Sequence, residues 1–301
     1  MPAVESKDIF FSVIIPCYNR ARFVGSTIQS ILNQVFDSVE IVLVDDGSQD
    51  NISEVIKPWL GHRVKYIHTE NHERGAARNA GLKEAKGLYI NYFDSDDVMN
   101  PCLKDVCDFL LKKNNPPVVF GAIENITADN KSLGYVSSPY SDFKKSIIHN
   151  NFLACGSVFV RSDVATAFAF SEDRALSGTE DWELWLRIYS THDFTEYPGT
   201  IFKQRHHSLR SLNQFNVKQI TQRESSFISH IENNKDLLRQ RFSRFAINLL
   251  RADRYTLIAL AQLESGDKKK GREFWVKSFG ASLGVVVRKR FWAVARKIIN
   301  S

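Results

Sequence analysis

The chain has 301 residues, 43% hydrophobic and 25% charged, the composition of an ordinary globular protein; this length suits one large domain or a domain with an appendage. No charged-then-apolar leader opens it, and no apolar run nears the ~20 residues of a membrane span, so neither a secreted nor a membrane-spanning protein is expected. The net charge of +6 is uneven: Lys268 to Ser301 hold ten Lys and Arg against one acid, Glu273, so the basicity belongs to a tail and does not mark the main fold as a nucleic-acid binder.

"IFFSVIIPCY", apolar and β-branched, predicts a buried strand stopped by Pro16. Residues 21–36 predict a helix with Val24, Ile28, Ile31, Leu32 and Val35 on one face. "VEIVLVDDGS" predicts a second strand ending in acids and Gly47, with Ser48 or Asp50 capping a helix that reaches about Leu60. "VKYIHT" is a third strand, "GAARNAGLKEAK" a helix and "LYINYF" a fourth strand. "NPCLKDVCDFLLKK" follows as a helix opened by Asn100 and Pro101. Such alternation implies a parallel sheet between helices. Right-handed crossovers put the strand C-termini along one edge, where ligands of such sheets bind. The polar clusters "PCYNR", "DDGSQD", "TENHERG" and "DSDD" each follow a strand and are expected to converge there.

After Pro116 the alternation loosens. "PPVVFGAIEN" and "GSVFVRSDV" predict strands, "TEDWELWLRIYS" a helix with Trp182, Trp185, Leu186 and Tyr189 at helical spacing, and "FTEYPGTIFKQR" an extended segment. From about Leu212 the pattern is helical to the end. Cys17, Cys102, Cys107 and Cys155 lack zinc-like spacing and read as reduced thiols of a cytoplasmic protein.

Three acids, Asp94, Asp96 and Asp97, crowd the end of the fourth strand. Like charges so close raise one another's pKa, and the usual compensations are a metal, basic partners or water. Hard oxygen ligands suit Mg²⁺ or Mn²⁺; an acidic capping turn is the alternative. In "VDDGS", Gly47 permits a tight turn and Asp46 could accept from a base or ribose donor, although an ordinary strand-to-helix turn has the same composition. No Gly-x-Gly-x-x-Gly and no Walker loop is present. Glu180 and Asp181 open a helix, where acids gain from the helix dipole; the other reading is a carboxylate base.

The stretches "SVIIPCYNR", "IVLVDDGSQD", "NHERGAARNAGL", "YINYFDSDD" and "GTEDWELWLR" occur in the order and at the spacing of glycosyltransferase family 2, and over residues 9–212 the chain resembles that family. The resemblance implies an α/β GT-A fold, a Rossmann-like mixed sheet flanked by helices, over residues 1–211. Within it, 8–115 would be the nucleotide-binding half and 116–211 the acceptor-binding half. A C-terminal helical region would span 212–301. The implied activity is inverting transfer of a sugar from a nucleotide donor, with UDP favoured, to a hydroxyl of a glycan or lipid-linked saccharide. Pro16, Tyr18 and Asn19 match the first nucleotide-contact loop, and Asp46 the acid that meets the base. Arg78 lies in the element flanking the donor. Asp94, Ser95 and Asp96 match the D-x-D, with Asp97 as an additional or competing ligand of Mn²⁺ or Mg²⁺. Asp181 matches the catalytic base. His206, His207, Ser208 and Ser211 resemble a region where a pyrophosphate or metal contact occurs, with His206 as the expected ligand and the register of the two histidines open.

The family's processive members carry membrane spans and a Gln-x-x-Arg-Trp element; neither is found here, which implies transfer of one sugar, or few, per encounter. A sugar nucleotidyltransferase is the competing enzyme, but the first strand is not followed by its Gly-rich loop. A non-catalytic nucleotide-sugar-binding module is a third reading, against which Asp46, Asp96 and Asp181 argue. In the tail, Val287, Phe291, Val294 and Ile298 fall on one helical face with basic residues mostly off it. That face suits an anionic membrane surface on its cytoplasmic side, or packing on the preceding helices.

Overall fold

The structure, a computed structural model, describes residues 9–61, 63–137, 142–207 and 216–299. They form two compact units, one drawn from Met1–Ser141, Phe152–Arg174 and His192–Ser208, the other from Asp142–Asn151, Ala175–Thr191 and Leu209–Ser301.

The first unit begins with β1 (Phe11–Cys17), α1 (Ala21–Leu32), β2 (Val39–Asp46), α2 (Ile52–Ile56), β3 (Val64–Thr69), α3 (Glu73–Glu84) and β4 (Tyr89–Tyr92). It continues through β5 (Val98–Met99), α4 (Leu103–Lys112), β6 (Val118–Thr127) and β7 (Ser132–Val136). The chain then passes through α5 (Phe143–His149), which belongs to the second unit, and returns with β8 (Val158–Arg161), α6 (Ser162–Ala167) and β9 (Phe194–His206). The strands make one sheet in the order β3-β2-β1-β4-β8-β6-β9-β5, with β7 paired to β6. The first four are parallel, with Phe11 opposite both Val39 and Tyr89. Beyond β4 the sheet is mixed: β8 runs antiparallel to β4 and β6, while β9 is parallel to β6 and antiparallel to β5.

β2 is buried along its whole length and β1 at all but Pro16, which is why both read as continuous apolar runs rather than alternating ones. Val13, Ile15, Ile28, Leu43, Phe93, Phe159 and Phe202 are among the residues of the core below. α3 lies directly on β1, because at Gly81 a Cβ would come within 2.4 Å of the Ile14 side chain.

Several expected boundaries shift. α1 stops at Leu32, so Val35 leaves the helical face and is 95% exposed. α2 has five residues, followed by a 3-10 turn, Lys57–Trp59, that contains Pro58. α4 starts at Leu103, not at Pro101; Asn100 instead donates from its backbone N–H to the Ile201 carbonyl at 2.9 Å and from its side chain to the Thr200 carbonyl at 3.1 Å.

The second unit is helical. Its members are α5, α7 (Glu180–Tyr189), α8 (Val217–Asn233), α9 (Lys235–Leu238), α10 (Arg244–Glu264), α11 (Lys268–Ala281) and α12 (Lys289–Ile299). Trp182 of α7 explains why this unit is not sequence-contiguous. Its indole N–H donates to the Ile147 carbonyl of α5 at 2.7 Å, and its ring stacks on Phe227 of α8 at 4.9 Å. α5 and α7 therefore pack with helices beyond residue 216, so the compact units do not divide at 211/212.

Part of the tail packs as protein core. Phe291 stacks on Trp275 at 5.0 Å and joins Leu249, Ala252 and Val285 in one cluster. Arg290 pairs with Asp253 at 3.1 Å, and Lys297 with Glu264 at 3.3 Å. Of the face expected to meet a membrane, Phe291 and Val294 are buried, whereas Val287 precedes α12 and is 78% exposed. Among the described residues, no helix is long and apolar enough to cross a membrane.

Candidate active site

At the C-terminal ends of β1 and β2 the two loops interlock. Asn19 has φ +53°, a left-handed conformation that Asn tolerates better than most residues. Its backbone N–H donates to Ser48 Oγ at 2.9 Å, and its Oδ1 accepts from the Gln49 N–H at 2.8 Å. Asp50 Oδ2 accepts from the Ala21 N–H at 2.9 Å. Ser48 and Asp50 thus serve the β1 loop and the head of α1 rather than capping α2, whose N-cap residue is Asn51 with no side-chain bond. Gly47 has φ +76°, and a Cβ there would stand 2.9 Å from the Asn71 nitrogen, so the turn requires glycine. Pro16 lies opposite Val44 in the sheet, and Tyr18 is exposed at the same edge.

The two acids ending β2 differ. Asp45 accepts from the Ser48 N–H at 2.8 Å and the Tyr66 hydroxyl at 2.7 Å, and lies 3.0 Å from His68 Nδ1. Burial alone would raise its carboxyl, but the hydrogen bonds from Ser48, Tyr66 and His68 outweigh it and hold it below the usual range. Asp46 accepts from the His72 N–H at 2.8 Å, at the head of α3. There burial prevails over the backbone bonds from His72 and Glu73 and pushes the carboxyl up.

The turn after β4 resolves the crowding of acids by giving each its own partner. Asp94 Oδ1 lies 3.1 Å from the Arg78 guanidinium, which is buried and sits 5.0 Å from the Phe170 ring. Asp96 Oδ2 lies 3.0 Å from His207 Nε2 and 3.6 Å from Arg20 Nε. Asp97 is buried, and its Oδ1 accepts from the Arg205 N–H at 2.9 Å, so it anchors the end of β9. Arg205 also donates from Nη1 to the Asp96 carbonyl at 3.3 Å. Ser95 is buried between the acids.

Of the two adjacent histidines, the structure brings His207, not His206, to the acids. His207 is 7% exposed on its side chain, and its ring stacks on Phe23 at 4.6 Å. His206 Nε2 lies 2.8 Å from Asn125 Oδ1 of the neighbouring β6. Successive residues of an extended segment face opposite sides, so only one of the pair can turn toward Asp96. Ser208 and Ser211 lie outside the described residues. Sequence reasoning missed Arg20, Phe23 and Arg205. Arg20 was legible as the one cation in "PCYNR", whereas Phe23 carries no signal of its own.

These residues fit a divalent ion of the Mg²⁺ or Mn²⁺ kind. Asp96 supplies a hard oxygen, and His207 Nε2 is aimed at the same point. Among the described residues, the buried His207 Nδ1 has no hydrogen-bond partner. Among the described residues, no group of three or more His, Cys, Asp or Glu is placed to hold a metal by itself. Two protein ligands suffice for ions that keep waters and take substrate phosphate oxygens. Asp97, engaged with β9, is a poorer candidate than Asp96.

Asp181 belongs to the second unit, on the first turn of α7. Its Oδ1 accepts from Asn151 Nδ2 at 2.9 Å and from the Trp182 N–H at 2.7 Å. Glu180 is buried and turns back to accept from the Gly178 N–H at 2.6 Å. Asp181, the less buried of the two, is the better placed to meet a substrate.

The family model of glycosyl transferase family 2 matches residues 12–176. An uncharacterized glycosyltransferase of Rickettsia felis is 31% identical over 274 residues, covering 87% of this chain but 43% of that protein. The chain spans less than half the length of the rickettsial relatives it matches most extensively. The Escherichia coli UDP-Glc:alpha-D-GlcNAc-diphosphoundecaprenol beta-1,3-glucosyltransferase WfgD is 28% identical over 190 residues, 62% of this chain and 73% of that one. Among solved structures, S. aureus TarS 1-349 in complex with UDP-GlcNAc superposes with a TM-score of 0.68 at 16% identity, covering 97% of this chain and 88% of that one. The fold is therefore GT-A, with a helical region at its C-terminal end.

Proposed function

The chain belongs to glycosyl transferase family 2, and on that premise we propose that it is an inverting, metal-assisted transferase that moves a sugar from a UDP-sugar to a hydroxyl of a glycan or lipid-linked saccharide. The observation that carries the reading is the acid turn after β4, where Asp96 meets His207 and Arg20 while Asp94 meets Arg78. UDP is favoured because the TarS structure binds UDP-GlcNAc and WfgD is named for UDP-Glc; a lipid-linked acceptor follows from the second of these names. A role in polysaccharide or cell-surface glycan synthesis fits such an acceptor.

In this mechanism Asp96 and His207 would hold Mn²⁺ or Mg²⁺. When bound, the ion supplies Lewis-acid stabilisation of the charge that develops on the leaving diphosphate. Pro16, Tyr18 and Asn19 shape the nucleotide loop, and Asp46 with the His72 backbone forms its acidic side. Arg78 holds the Asp94 carboxylate in place, and Ser95 spaces it from Asp96. Asp181, oriented by Asn151, takes the proton of the acceptor hydroxyl. Direct displacement then inverts the anomeric centre, so an α-linked donor gives a β-linked product.

The proposed place of action is the cytoplasmic side, consistent with four buried cysteine thiols. Peripheral contact with an anionic membrane is proposed through the exposed part of the tail. Lys289, Arg296 and Lys297 stand there beside Trp292 and Ile299, while Phe291 and Val294 remain in the core. The decisive experiment is a thermal-shift and donor-hydrolysis panel of nucleotide sugars with Mn²⁺ and with Mg²⁺. A UDP-sugar is expected to stabilise the protein only when the metal is present. If no nucleotide sugar shifts the melting temperature or is hydrolysed, the reading fails.

A further inference from the structure

α1 carries a polar stripe that is bonded along its length to the acid-bearing segment. Thr27, Ser30 and Gln34 are spaced by three and four residues, which puts them on one side of the helix and its first residues beyond. Thr27 is completely buried on a helix whose other buried residues are Val24, Ile28 and Ile31. Its hydroxyl donates to the Asp97 carbonyl at 2.8 Å and is shared with the Ser95 carbonyl at 3.0 Å. Ser30 Oγ accepts from the Met99 N–H at 3.0 Å. Gln34 Oε1 accepts from the Leu103 N–H at 3.0 Å. The whole segment from Ser95 to Leu103 is thus suspended by three side chains from α1 and the turn that follows it.

Thr27 bonds the carbonyls on either side of Asp96. Within the turn itself, the Asp97 N–H donates to the Asp94 carbonyl at 3.3 Å, a long bond. From the other side Arg205 bonds the Asp96 carbonyl and the Asp97 carboxylate. The direction of the Asp96 side chain is therefore set between α1 and the end of β9. A buried hydroxyl costs desolvation unless it is bonded, and a valine of the same shape would fill the position without that cost. We propose that Thr27 is a positioning residue: its hydroxyl, clamped between the Ser95 and Asp97 carbonyls, holds the Asp96 carboxylate toward His207 and so sets the affinity of the site for a metal-bound diphosphate. The inference rests on the functional reading given above.

The test compares wild type, Thr27→Val and Thr27→Ser in two assays. The first is UDP titration by calorimetry with Mn²⁺. The second is amide hydrogen exchange of residues 95–99 without ligand. Thr27→Val is expected to weaken Mn²⁺-dependent UDP binding by roughly 10- to 100-fold, the range for groups that orient a metal ligand, and to speed exchange in that segment. Thr27→Ser, which keeps the hydroxyl, is expected to bind within about threefold of wild type. If wild type binds UDP with Mn²⁺ and Thr27→Val binds equally well, the inference falls and the functional reading stands. If wild type binds no UDP under any metal, the reading of the site falls and takes the inference with it. Should Thr27→Val fail to fold, Ser30→Ala serves instead, since it strands the N–H of the buried Met99. Weaker UDP binding and faster exchange in Ser30→Ala support the inference, and unchanged values overturn it.

Discussion

Replacing His207 by phenylalanine separates the chemistry of that position from its packing. The phenyl ring can keep the stack on Phe23, now 4.6 Å between centroids, which retains an aromatic pair of ~0.5–1.5 kcal/mol. Both ring nitrogens are lost, including Nε2 at 3.0 Å from Asp96. Arg20 stays 3.6 Å from the same carboxylate oxygen, so Asp96 is not left facing apolar surface alone. A bond to a charged group contributes ~1.5–3 kcal/mol. Its removal should therefore weaken metal-dependent UDP binding by roughly 10- to 150-fold. The change in melting temperature should stay within about 3–12 °C, because ~1 kcal/mol moves a domain of this size by about 2–4 °C. The assay is calorimetric titration of UDP with Mn²⁺, alongside thermal unfolding. His206→Phe is the matched control. Its nitrogen contacts Asn125, so binding should stay within about threefold of wild type. The reasoning is refuted if His206→Phe loses more affinity than His207→Phe, or if both bind as wild type does.

Four further outcomes are expected. Asp181→Asn should bind donor almost normally and lose ~10²–10⁴ in turnover, and a loss below about tenfold would make Asp181 structural. Glu183 is buried against Arg187 at 2.7 Å and His230 at 3.8 Å. Burial alone would raise its carboxyl, but the bonds from His230 and Arg187 prevail and hold it below the usual range. A carboxyl held low binds fewer protons folded than unfolded. Its stabilisation is therefore complete above the unfolded value of ~4.3 and is lost as pH falls through the lower folded value. The melting temperature of wild type should then fall more steeply between about pH 5 and pH 3 than that of Glu183→Gln, and parallel curves would contradict this. In the tail, ending the chain at Leu283 removes Val285 and Phe291 from their cluster, and burial of such a side chain contributes ~1.5–3 kcal/mol, so unfolding should occur at lower temperature. Intact protein should co-sediment with anionic vesicles at low salt and release at high salt, each exposed Lys or Arg contributing ~1 kcal/mol; failure to sediment at low salt removes the membrane contact.

The first half of the fold was legible because β1, β2 and β4 are buried, mostly apolar runs, each followed by a polar cluster where the strand stops. Asp46, Asp94 and Asp96 could be placed at one sheet edge from that rule alone. Elements defined by distant partners were not legible. β5 is two residues long and is identified only by its pairing with β9. α5 has seven residues, too few to show a helical period, and the Ile147 carbonyl finds its partner, Trp182, 35 residues further along the chain. The polar ends of the loops misled for a related reason. Ser48 and Asp50 stand where caps of the following helix are expected, yet their acceptors are taken by Asn19 and Ala21, some thirty residues earlier. The choice between His206 and His207 depends on which side of β9 faces Asp96, and that is set by the pairing of β9 with β6 rather than by local composition.

The segmented helical unit has a consequence for how the chain is made. α5 and α7 emerge during synthesis before α8, and Trp182 precedes its stacking partner Phe227 by about 45 residues. At ~5–20 residues per second, that indole waits roughly 2–9 s for its cover, longer than the time in which small helical assemblies ordinarily fold. During this interval the nascent chain presents an apolar helix face that invites holdase chaperones or misassociation with neighbouring chains. A fragment ending at residue 211, the boundary suggested by the change from strands to helices, would make that interval permanent. Soluble expression is expected to require the chain to continue through α10, whose Arg254 guanidinium lies over the Trp182 ring at 5.0 Å.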